Sequence, residues 1–122
     1  MGHVDQAHPL LRDFALELVK HRDCSVVCSH RGKEAQQQAF ASGASRARFG
    51  ESPHNYFPAL ALDIVPYPEA YASDPALWAL GAFGLDLAIR MGRPIEWGGA
   101  WLVRYRFQDL PHFQLRDWRS YL

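Results

Sequence analysis

The chain lacks any apolar run near the roughly 18 residues a membrane-spanning helix needs, because Arg12, Asp13, Asp63, Asp86 and Arg90 interrupt each candidate. No stable membrane association is expected. Cysteine is nearly absent. Cys24 and Cys28 are the only two, and they bracket a β-branched stretch, CSVVC, in which an extended backbone holds the sulfurs too far apart to bridge. Both read as reduced core thiols. With only His21 and His30 flanking them, a zinc knuckle is short of ligands. Net charge is also missing: 13 Lys and Arg balance 13 Asp and Glu, with neither sign gathered in one half. That argues against long-range attraction to nucleic acid or an anionic membrane. Where a secretory signal needs an apolar segment, the first ten residues carry His3, Asp5 and His8, so synthesis in a cytoplasm without a signal peptide is expected.

What is present suffices for one core. Over 122 residues, 48% are hydrophobic, and a chain of this length buries roughly two-thirds of its unfolded surface. A single domain over residues 1–122, monomeric, is expected. Leu11, Phe14, Leu18 and Val19 recur at helical spacing between Pro9 and His21, with Arg12, Asp13, Glu17 and Lys20 on the other face. Cys24 to Ser29 reads as a short strand and Gly32 to Ser42 as a helix closed by Gly43. From Ala44 to Pro58 no apolar period appears, which predicts a long loop, and long loops in small domains are often functional. In Ala59 to Val65, alternation sets Leu60, Leu62 and Ile64 on one face of a strand, and Ala59, Ala61, Asp63 and Val65 on the other. Asp74 and Pro75 predict a helix start, with Gly92 near its end, and Gly81 and Gly84 inside it point to close packing. Pro94 to Trp97 and Leu110 to Leu115 read as two more strands, followed by a final helical turn. Helices and short strands in this order give an α+β class with a small, mostly antiparallel sheet.

Three segments concentrate reactive groups: Ser52-Pro53-His54, the strand carrying Asp63, and the stretch with Asp109 and His112. Neutral imidazole and carboxylate are zinc ligands, and a catalytic site keeps three protein ligands with a fourth position open. His54, Asp63 and His112 meet that count. The spacing alone is equally compatible with a solvated His54, an Asp63 paired to arginine and a His112 at a strand edge.

The ordered set SPHNYFPALALDIVPY, CSHRGKEAQQQAFASGAS, IEWGGAW and QDLPHFQL resembles the motifs of the zinc D-alanyl-D-alanine peptidases. That family includes vancomycin-resistance carboxypeptidases and phage L-alanyl-D-glutamate endopeptidases. The resemblance runs from about Cys24 to Leu115 and implies the α+β fold of these metallopeptidases, shared with hedgehog-type domains. It also implies a Zn2+ cofactor held by His54, Asp63 and His112, with Asp109 as the general base. Arg31 matches the arginine that binds substrate and stabilises the developing oxyanion, a task suited to a permanently charged fork of donors. Ser52 matches a substrate- or loop-orienting serine, and Gln36 and Ser45 match positions that are structural or touch substrate. Glu96 is assigned to substrate binding or ligand support and is the second choice for the base. Trp97 and Trp101 are assigned to core and pocket wall. Two departures stand out. His54 and Asp63 lie nine positions apart, farther than the family's spacing, with Phe57-Pro58 inserted, and Ala100 replaces a usual acidic residue.

The resemblance thus implies a zinc peptidase acting on the peptidoglycan stem peptide, most like an endolysin that cleaves the L-alanyl-D-glutamate bond after the membrane has been permeabilised. A D-alanyl-D-alanine carboxypeptidase is the enzymatic alternative. A non-catalytic wall-binding module on the same fold is another, which the presence of Asp109 and Arg31 disfavours. Nucleic-acid binding through Arg46, Arg48, Arg104 and Arg106 ranks last, given the zero net charge.

Overall fold

Alternation in four short strands divides a sheet into a greasy face and a chemical one. The computed structural model describes residues 2–68, 73–101 and 108–122. Four helices, α1 (Gly2–Asp5), α2 (Pro9–Leu18), α3 (Lys33–Ala41) and α4 (Asp74–Arg90), accompany strands β1 (Cys24–Cys28), β2 (Ala61–Pro66), β3 (Ile95–Trp97) and β4 (His112–Leu115). The strands pair antiparallel in the order β1-β2-β4-β3. The fold is α+β, as the element pattern predicts.

On the greasy face Leu62, Ile64, Ile95, Trp97, Phe113 and Leu115 are buried together with Leu11, Phe14 and Leu18 of α2. The Phe14 and Phe113 rings sit 5.3 Å apart in a tilted pair, a geometry that adds to plain area burial. The expected close packing at α4 is present. A side chain at Gly81 would run into the Trp97 indole, and one at Gly84 would press on Phe113 and Phe14. Proline at the first turn of α2 supplies a pre-set φ where no backbone donor is needed.

Three details differ from the expectation. The N-terminal residues, for which the sequence predicts no element, form α1 and bury Val4 and Ala7. The helix cap of α4 is Ser73, whose side chain accepts from the Ala76 N–H, rather than Asp74. Within the long loop, Pro53–Asn55 makes a 3-10 turn. Of the arginines considered for nucleic acid, Arg104 and Arg106 lie outside the described residues, while Arg48 stacks over the Phe40 ring at 5.0 Å.

Register places the reactive residues on the second face. Asp63 stands opposite His112, Ala61 opposite Gln114, and Gln114 opposite Glu96. Because side chains alternate, all five share one side of the sheet.

Candidate metal centre

The centre is built around Asp63. His112 flanks it on β4, and His54 reaches it from the loop. That loop is stapled down residue by residue. Ser52 Oγ accepts from the His54 N–H at 3.2 Å, and Asn55 Oδ1 accepts from the Ser52 N–H at 3.2 Å, a reciprocal cap. Asn55 Nδ2 donates to the Arg31 carbonyl at 3.1 Å, while the Arg31 N–H donates to the His54 carbonyl at 2.7 Å. The turn is therefore bound to the segment that follows β1.

Each histidine has one nitrogen occupied and one aimed inward. His54 Nδ1 lies 2.7 Å from the Ser29 carbonyl, which only accepts, so Nδ1 carries the proton and Nε2 faces Asp63 Oδ1 at 3.3 Å. His112 Nε2 lies 2.8 Å from Gln114 Oε1, and its Nδ1 faces the same Asp63 oxygen at 3.2 Å. The rings cross edge to face, 5.1 Å apart. Both imidazoles are buried, at 2% and 6% exposure.

The electrostatics follow. Burial alone would raise the Asp63 carboxyl, but hydrogen bonds from His112 and His54 outweigh it and hold the group well below the ordinary carboxylate range. Burial likewise disfavours a charged His54, yet the bonds to Asp63 and Cys28 push it up to about 10. Two imidazole nitrogens converging on one carboxylate, with their outer nitrogens held by acceptors, is a donor set that suits a divalent transition metal.

Cys28 belongs to this site, a correction to its reading as a core thiol. Strict alternation would send Cys28 to the side of Cys24 and Val26, which pack against the core. A bulge between Val26 and Cys28 changes the register, so Cys28 rather than Val27 stands opposite Asp63. Ligand atoms of Cys28, His54 and Asp63 all lie within 4.8 Å of one another. Its sulfur is 3.8 Å from His54 Nδ1 and 3.7 Å from an Arg31 nitrogen. Burial opposes thiolate formation there, but His54 and Arg31 win and draw the thiol below its ordinary value. Both cysteines are free, as expected.

Around the centre stand the other expected residues. Arg31 donates through Nη1 to Gln36 Oε1 at 3.1 Å and holds Nη2 3.7 Å from Asp63 Oδ2. Gln36 is fully buried and donates to Ser45 Oγ and the Ala47 carbonyl, so Gln36 and Ser45 brace the arginine from within. Asp109 Oδ2 lies 3.9 Å from His112 Nδ1, with its side chain 46% exposed. Desolvation by the surrounding protein, with Asp63 adding like charge, holds its carboxyl above the ordinary value against the pull of His112. The Asp109 N–H donates to the Gly98 carbonyl at 3.2 Å, and a side chain at Gly98 would collide with the Asp109 backbone. Trp97 Nε1 donates to the Leu110 carbonyl at 2.7 Å, and the Trp101 ring lies 5.2 Å from that of His112. Trp97 is core and Trp101 a wall. Ser52 is buried with its hydroxyl on the His54 N–H, and Glu96 accepts from Gln114.

No family model matches the sequence, and the search of curated proteins returns no match. Among solved structures, the crystal structure of the Serratia marcescens L-Ala D-Glu endopeptidase ChiX superposes with a TM-score of 0.79 at 25% identity, covering 98% of this chain and 87% of that one. The chain has the fold of that endopeptidase. On its sheet Asp63 and His112 stand opposite each other across β2 and β4.

Sequence reasoning missed three participants. The Ser29 carbonyl is backbone and leaves no residue signature. Cys28 depends on a bulge. Gln114 was within reach, since it follows His112 by two positions and alternation puts both on one face.

Proposed function

We propose that this chain is a zinc-dependent peptidase of the peptidoglycan stem peptide, an L-alanyl-D-glutamate endopeptidase of endolysin type. The observation that carries the reading is the convergence of His54 Nε2 and His112 Nδ1 on Asp63, with Asp109 and Arg31 beside them. The fold shared with an L-Ala D-Glu endopeptidase supports the choice of bond. His54, Asp63 and His112 would hold the metal, which when bound supplies Lewis acidity to a peptide carbonyl and to water. Asp109, raised above its ordinary value, takes a proton from the attacking water and returns it to the leaving amine. Arg31, braced by Gln36, presents donors to the oxygen that gains charge as the carbonyl becomes tetrahedral. Cys28 touches the edge of His54 that is already committed to Ser29, which favours His112 over Cys28 as the third ligand. The protein is read as a monomer that reaches the wall after membrane permeabilisation.

The test is digestion of peptidoglycan by zinc-loaded protein, with a chelator control and mass spectrometry of the released ends. New N-terminal glutamate is expected. Released D-alanine would instead make it a D-alanyl-D-alanine carboxypeptidase, and intact wall would point to a non-catalytic module. Asp109→Asn should keep zinc and lose about 10²- to 10⁴-fold in rate, whereas His54→Ala should lose both zinc and hydrolysis.

A further inference from the structure

We propose that Glu96 is a positioning residue that sets the tautomer of His112 through Gln114. The inference rests on the reading of His112 as a metal ligand. Glu96, Gln114 and His112 lie in line on the chemical face, the first two directly opposite across the β3–β4 pair and the last two alternating along β4. Gln114 Nε2 donates to Glu96 Oε1 at 2.5 Å, and Gln114 Oε1 lies 2.8 Å from His112 Nε2.

The chemistry of the three groups allows one arrangement. A carboxylate only accepts, so Glu96 draws the amide nitrogen of Gln114 to its own side. The amide oxygen must then face His112, and an oxygen there requires Nε2 to carry the proton. His112 Nδ1, 3.2 Å from Asp63, is then the nitrogen that gives up its proton to a metal. A free amide has no such preference. Turned over, it would offer N–H to His112 Nε2 and put the ring proton on Nδ1, against the metal. Glu96 thereby acts on the centre without touching it, which accounts for an acidic residue beside Trp97 in terms other than substrate contact or proton transfer. His54 needs no equivalent, since a backbone carbonyl cannot turn over.

The relay makes a polarity-swap test possible. Glu96→Gln removes the bias with little change of shape. The double variant Glu96→Gln, Gln114→Glu restores it, because a carboxylate at position 114 accepts both from the new amide and from His112 Nε2–H. Nitrogen-15 spectra of metal-free Asp63→Ala protein, which lacks the carboxylate that competes for a proton on His112 Nδ1, taken where the ring is neutral, should show the Nε2–H form of His112 when Glu96 and Gln114 are intact. On that background a mixture is expected in Glu96→Gln and the Nε2–H form again in the double variant. Zinc affinity with Asp63 in place, measured by competition with a chromophoric chelator, should fall about 10- to 100-fold in Glu96→Gln and recover in the double variant. Native-like tautomer and affinity in Glu96→Gln would overturn the proposal, as would a double variant no better than the single one. A raised KM for stem peptide with unchanged zinc affinity would also overturn it and return Glu96 to substrate binding. Neither the spectra nor the zinc titration requires hydrolysis, so they stand apart from the test of peptidase activity.

Discussion

His54, Asp63 and His112 are ordinary residues made unusual by what surrounds them. Each imidazole is deprived of water and given an acceptor on its outer nitrogen, so only the inner nitrogen remains for a cation. The identity of these three was readable because histidine and aspartate are the natural zinc donors and because the ordered motifs resemble a peptidase family. Their geometry was not readable, since spacing along the chain says nothing of convergence in space. Cys28 marks the limit. Its sulfur stands at the margin of the centre, near Arg31 and the occupied edge of His54. Cys28→Ser should therefore change zinc affinity by less than the roughly tenfold typical of losing an outer hydrogen-bond partner. A much greater loss in chelator competition would make Cys28 a ligand in place of His112.

At the scale of elements, the sheet sets the spacing and the turns supply the exceptions. Alternation along β2 correctly predicts Leu62 and Ile64 inward and Asp63 on the opposite face. It fails at β1, where one extra residue between paired positions turns Cys28 across the sheet. The Gly98–Trp101 turn positions Asp109, because only a glycine at 98 leaves room for the Asp109 backbone. Gly98→Ala should push Asp109 aside and lower hydrolysis about 100-fold, the order of loss for a misplacement near 1 Å. Zinc affinity should hold within threefold, since His54, Asp63 and His112 come from other elements. Equal losses in both measurements would show that the turn supports the ligands as well.

For the whole molecule, the buried charges couple stability to pH. The folded Asp63 carboxyl is held below its ordinary value of 3.8, so its contribution is present above that pH and is lost as pH falls. The folded His54 is raised from 6.5 to about 10, so its contribution is complete below pH 6.5 and is lost as pH climbs toward 10. Metal-free protein should thus melt highest between about pH 4 and 6.5, with Tm dropping roughly 4 °C for each kcal/mol lost on the alkaline side. Asp63→Asn should flatten both limbs of the Tm profile. A native chain whose Tm rises from pH 6 to 9 without metal would contradict this account. Zinc loading should reverse the alkaline trend, because a ligating imidazole must be neutral and proton and metal compete for it.

The sequence by itself determined the α+β class, the two-faced strand around Asp63 and the helices with glycine where α4 meets the sheet. These depend on periodicity and on side-chain chemistry, both of which are written locally. Only the tertiary structure decided which nitrogen of each histidine faces Asp63, that Cys28 joins the centre, and that Glu96 answers to Gln114. Those facts depend on cross-strand register, a bulge and a backbone carbonyl. Each arises when segments far apart in the chain pair, and no local pattern encodes that pairing.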